Sequence, residues 1–135
     1  MQTFMPYADI EKSVQCLDYK RLGKQRVEAM QTYNQITKGK GGYPHHPVNR
    51  MWKDNPSALA HYHNMCIDEW VKRGYNNTMQ LIPFDNLVLP DWVGDERLHK
   101  SHRSNLLRKD QEFYGQYDWN EPIDLEYYWV WHQIL

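Results

Sequence analysis

Four residues within two turns of chain carry the densest chemistry in this sequence: Arg21, Lys24, Gln25 and Glu28. At about 100° per residue they fall on one side of a helix, while Leu22, Ala29, Met30, Tyr33 and Ile36 form an apolar stripe on the other. Cations hold phosphates, and a carboxylate among them stabilises positive charge developing on a sugar or moves a proton, so the cluster suits chemistry on a nucleic acid backbone. The spacing of Lys24 and Glu28 equally describes a helix-surface ion pair. Arg26 lies along the apolar stripe, where an unpaired guanidinium is costly. It therefore needs an acidic partner, with Glu69 the candidate, or a reach to a phosphate.

The charge distribution enlarges this cluster. Sixteen Lys and Arg against seventeen Asp and Glu leave a net charge of -1, yet the signs are segregated. Residues 19–53 hold Lys20, Arg21, Lys24, Arg26, Lys38, Lys40, Arg50 and Lys53 against Glu28 alone. Residues 97–109 hold Arg97, Lys100, Arg103, Arg108 and Lys109 with no acid, and residues 110–126 hold six acids and no Lys or Arg. Two basic segments on a near-neutral chain suggest a local anion-binding face, with ordinary solvated helix faces as the alternative.

Other chemistries find less support. His99 and His102 are three apart and open a metal-dependent nuclease reading, but no HExxH or CxxC spacing accompanies them, so no metal is expected. His45 and His46 sit in a proline-bounded loop beside Arg50 and Trp52, where phosphate contact or wedging into a duplex is conceivable. No Walker loop, GxGxxG or GxSxG occurs, which argues against triphosphatase, dinucleotide and serine-hydrolase chemistry. Cys16 and Cys66 read as buried thiols.

The elements that position these residues are mostly helices. Asp9 is placed to cap a short first helix, and a longer helix spans residues 18–36 before the glycines at 39, 41 and 42. A short helix is expected over residues 48–53. Another runs from Asn55-Pro56 to Arg73, with Ala58, Leu59, Tyr62, Met65, Cys66 and Trp70 on its core face. Residues 81–92 are apolar but broken by Pro83 and Pro90, which predicts extended connecting chain. Ser101 is the expected cap of a last helix to Lys109. The expected fold is mainly α: a compact single-domain helical bundle over residues 1–135, with long loops and an aromatic C-terminal tail. No apolar run approaches the roughly 18 residues of a membrane span. No secretory pattern opens the chain, so the expected setting is intracellular and cytoplasmic.

Residues 16–29 (CLDYKRLGKQRVEA), 46–52 (HPVNRMW) and 101–109 (SHRSNLLRK) resemble segments of small proteins grouped with pyrimidine-dimer DNA glycosylases of the viral endonuclease V type. The link to the characterised enzymes runs through a helix motif matched by Leu22, Gly23, Arg26 and Glu28. There the arginine and glutamate are adjacent, whereas here Val27 separates them. The resemblance implies a helical fold and a two-step reaction, in which an N-terminal amine attacks C1′ of the damaged nucleotide to give an imine and β-elimination then nicks the strand. It makes Met1, through its amine, and Glu28 the catalytic candidates, with Lys24 as an alternative nucleophile. It also assigns Arg21, Lys24, Gln25, Arg26, His46, Arg50, Lys100 and Arg103 to DNA binding. The implied partner is double-stranded DNA with damaged pyrimidines, bound by a monomer without a cofactor. A nucleic-acid-binding protein without catalysis remains the second reading.

Overall fold

Asp9 and Asp95, two short acceptor side chains, start the first and last long elements of the chain by capping exposed backbone donors. In a computed structural model describing residues 2–41 and 44–129, Asp9 accepts from the Lys12 amide and opens α1 (Ile10–Gln15). Helix α2 (Tyr19–Lys38) stops at Gly39, whose φ of 66° is the left-handed conformation that glycine adopts without strain. There follow α3 (Val48–Trp52), α4 (Pro56–Lys72), α5 (Glu96–Lys109) and α6 (Gln111–Tyr114), the last running into a 3-10 turn at Gly115–Tyr117. Among the described residues there is no strand, and the six helices pack as one body.

Helices α2 and α4 form the main seam, with α1 against α4. Leu22 and Ala29 of α2 meet Ala58, Leu59, Tyr62 and Cys66 of α4, all fully buried, as the apolar spacings predict. Gly23 lets the seam close: a Cβ there would lie 3.0 Å from two ring atoms of Trp70. The glycine costs about 1 kcal/mol of helix propensity relative to alanine, which the seating of the indole offsets. Residues 81–92 are irregular as expected, and both cysteines are buried free thiols.

Two expectations need correction. Helix α5 begins at Glu96, capped by Asp95, and Ser101 lies in its interior, where its hydroxyl donates to Leu98 O and accepts from the Tyr128 amide. Arg26 does not pair with Glu69, which binds Arg73 at 2.7 Å. The Arg26 guanidinium instead donates to Asn77 Oδ1 and lies 4.2 Å over the Trp70 ring. Trp52, beside the His46 loop, is fully buried, and its indole N–H donates to Thr3 Oγ1 at 2.8 Å.

The least regular part of the core is its most heavily bonded. Residues 2–6 are buried, yet they belong to neither helix nor strand, so side chains must satisfy their peptide groups. Phe4 N donates to Gln25 Oε1 and to Tyr62 Oη, and Phe4 O accepts from Tyr62. Met5 is clamped by two histidines: its N–H donates to His102 Nδ1 at 2.9 Å, and its carbonyl accepts from His99 Nδ1 at 2.7 Å. The Gly94 amide donates to His99 Nε2, which fixes the proton of that ring on Nδ1. Pro6 O accepts from Arg103. The chain is thereby threaded beside α2 from its first described residue.

Candidate active site

The threaded segment ends on the polar side of α2. Gln2 N donates to Glu28 Oε2 at 3.1 Å, and Gln2 O accepts from Gln25 Nε2 at 2.7 Å. Gln25 Nε2 also lies 3.3 Å from the same Glu28 oxygen, while Gln25 Oε1 accepts from Tyr62 at 2.6 Å. One buried amide therefore ties the chain start, the carboxylate and the core together. Leaving such a group unpaired costs about 1–3 kcal/mol, so the arrangement is rigid.

Around Glu28 opens a cavity of about 680 Å³ lined by Gln2, Phe4, Lys20, Arg21, Lys24, Gln25, Glu28, His46, Lys109 and Tyr127. Helix α2 supplies five of these residues at helical spacing, α5 supplies Lys109 from its last turn, and the returning C-terminal segment supplies Tyr127. Asp18 steadies Arg21, both carboxylate oxygens lying 3.2 Å from Nη1. His46 Nδ1 accepts from the Val48 amide, and burial lowers its pKa, so it acts as a neutral hydrogen-bonding group at neutral pH. Partial burial, with Arg21, Arg108 and Lys24 nearby, lowers the Lys109 ammonium. Burial raises the Tyr127 phenol to about 12.

Of the residues singled out from the sequence, Arg21, Lys24, Gln25, Glu28 and His46 meet in this cavity. Met1 lies outside the described residues. The other four lie elsewhere. Arg26 is on the Trp70 side of α2, Lys100 is exposed on α5, and Arg50 lines a separate hollow with Asp54, Asp91 and Asp95. The Arg103 side chain, 12% exposed, is spent on Glu121, Glu96 and Pro6 O. Gln25 is 1% exposed, so it is a wall and tether of the cavity rather than a surface contact. Lys20, Lys109 and Tyr127 are cavity residues the sequence reading did not assign. The two lysines stood in the basic runs, but only the fold brings the C-terminal end of α5 beside α2.

The histidine pair once considered for metal is occupied by the Met5 peptide. Among the described residues, no group of three His, Cys, Asp or Glu is placed to hold a metal ion. Among the described residues, no helix is long and apolar enough to cross a membrane.

Compared with models of known families, residues 1–83 match the one described as pyrimidine dimer DNA glycosylase. The match takes in the threaded segment, α2 and the His46 loop, and stops short of Lys109 and Tyr127. No curated protein and no solved structure matches the chain.

Proposed function

The chain belongs to the pyrimidine dimer DNA glycosylase family, and from that membership we propose that it is a DNA repair glycosylase with AP-lyase activity, acting on damaged pyrimidines, cyclobutane dimers foremost, in duplex DNA. The observation that carries this reading is the 3.1 Å bond from Gln2 N to Glu28 in a cavity rimmed by Lys20, Arg21, Lys24 and Lys109. Gln2 N, the peptide nitrogen through which Met1 is joined to the chain, is the atom that donates to that carboxylate, and the cations suit the phosphates flanking an extruded nucleotide.

In this reading a neutral α-amine at Met1, a group with an ordinary pKa of about 7.7, attacks C1′. The glycosidic electron pair leaves with the base, the sugar ring opens to an iminium as O4′ takes a proton, and loss of a C2′ proton expels the 3′ phosphate. Glu28 stabilises the cationic sugar and relays these protons. Lys24 and Lys109 are the alternative amines. The test is incubation with ultraviolet-irradiated and untreated duplex under borohydride, which reduces an iminium to a stable amine, followed by mass mapping. An adduct at Met1 on irradiated DNA alone is expected. An adduct mapped to a lysine reassigns the nucleophile.

One observation favours a second reading. Glu28 accepts from both Gln2 N and Gln25 Nε2, so a purely structural tether on a non-catalytic DNA-binding protein would use the same contacts. Salt-sensitive binding with neither adduct nor base release would establish it.

A further inference from the structure

A second concavity, of about 510 Å³, lies on the adjoining side of α2 and is lined by Tyr19, Lys20, Gly23, Lys24, Val27, Glu28, Gln31 and Trp70. Lys20, Lys24 and Glu28 also line the cavity around Gln2, so they form a ridge between the two. Its aromatic wall is Tyr19 and Trp70, and Tyr75 stacks against both, on Trp70 with centroids 4.4 Å apart and planes at 29° and on Tyr19 at 6.2 Å and 28°. Tyr19 is 52% exposed and Tyr75 40%. Every other Tyr and Trp among the described residues is better covered.

The stack is built rather than left over. Gly74, at φ 92°, turns the chain at the end of α4 so that the Tyr75 amide bonds back to Trp70 O. The Trp70 indole donates to Asn76 O at 2.7 Å, Arg26 covers the ring, and Gly23 makes room beside it. Four positions thus converge on presenting two tyrosine rings to solvent next to two lysines. Ordinary core packing would bury those rings. Flat π faces beside a cationic ridge are what unstacked bases and their phosphates bind, and stacking is tolerant of sequence.

We propose that Tyr19, backed by the Tyr75–Trp70 stack, forms a stacking site for an unpaired nucleobase of the bound DNA, with the adjoining phosphate on Lys20 and Lys24. This rests on the DNA reading above. The site is separate from the cavity beside Glu28, and the shared lysine ridge lets one strand occupy both through a single phosphate.

The test measures binding to a duplex containing one tetrahydrofuran abasic analogue, with 5-iodouracil placed in turn at the surrounding positions for photocrosslinking. Wild type is expected to crosslink at Tyr19 or Tyr75. A Tyr19→Ala/Tyr75→Ala variant is expected to bind about tenfold more weakly or worse while remaining folded, the loss of the Tyr75–Trp70 stack lowering its melting temperature by only a few degrees. Tyr75→Phe, which keeps the ring, is expected to bind as wild type does. Affinity of the double variant within twofold of wild type overturns the stacking site and leaves the DNA reading standing. Failure of wild type to bind the duplex at all overturns both.

Discussion

The two basic segments look alike in the sequence and do opposite work in the fold. In α2, Lys20, Arg21, Lys24 and Glu28 line an open cavity, with Asp18 holding Arg21. In α5, Arg103, Ser104, Asn105 and Arg108 turn onto other parts of the chain. Ser104 donates to Pro122 O and accepts from the Leu125 amide, Asn105 reaches Leu125 O, Arg108 reaches Ile123 O, and Arg103 is held by Glu96 and Glu121. A run of positive charge marks a ligand face only where the fold leaves it unanswered. Glu121 and the carbonyls of Ile123 and Leu125 fold back to answer α5, whereas α2 has only Glu28 in its midst. Substitutions of the α2 cavity residues should therefore cost activity, and those of the α5 residues held by other parts of the chain should cost stability.

Glu28→Gln gives the largest expected effect. Glutamine keeps an oxygen that accepts from Gln2 N but neither stabilises a cationic sugar nor relays a proton. Base release from irradiated duplex should fall about 10²- to 10⁴-fold, while urea unfolding moves by less than about 1 kcal/mol. A loss of stability with activity preserved would make Glu28 a tether.

Arg103→Ala should do the reverse. Removing the guanidinium strands Glu121 and leaves Pro6 O without its donor, an expected loss of about 3 kcal/mol in urea unfolding. Because Arg103 faces protein rather than solvent, the salt dependence of DNA binding should not change. If it becomes shallower, Arg103 contacts phosphate and the contrast between the helices fails.

The α5 histidines make the same point through pH. Burial, with neighbouring His99 adding to it, pushes His102 down to about 3 from an ordinary 6.5. Below pH 6.5 the unfolded chain takes up a proton that the folded chain refuses, so stability is full above that pH and falls by about 1.4 kcal/mol per unit towards pH 3. His102→Asn keeps an acceptor for Met5 N–H and has no proton to gain. By pH 5 wild type should lose about 2 kcal/mol more than this variant, measured by urea unfolding across pH. The lowered His46 and His63 are present in both proteins and cancel in the difference.

What could be read in advance follows the same division. Apolar spacing and capping residues place α1 to α4, and helical spacing alone gathers Arg21, Lys24, Gln25 and Glu28, because those facts are local. Ser101 misled because a cap-forming hydroxyl in mid-helix serves the Tyr128 amide, 27 positions away. Residues 2–6 carry no periodicity, since their partners Gln25, Tyr62, His99 and His102 come from three helices. Arg26 found Asn77, not Glu69, because the turn after Gly74 decides which loop atoms lie over Trp70. Lys109 and Tyr127 enter the cavity through tertiary packing that no local pattern encodes.

The smallest expected effect is the most selective. Lys24 is an exposed cation on the ridge between the two concavities, so Lys24→Ala removes no core contact and should change stability by less than about 0.5 kcal/mol. If its ammonium replaces one condensed counterion on DNA, the plot of log affinity against log salt should become shallower by about 0.9, with the same shift on undamaged and irradiated duplex, because a phosphate contact positions without reading the base. Arg103→Ala serves as the control whose slope stays put although its stability falls. A slope unchanged by Lys24→Ala would leave α2 no better supported as the DNA-facing helix than α5.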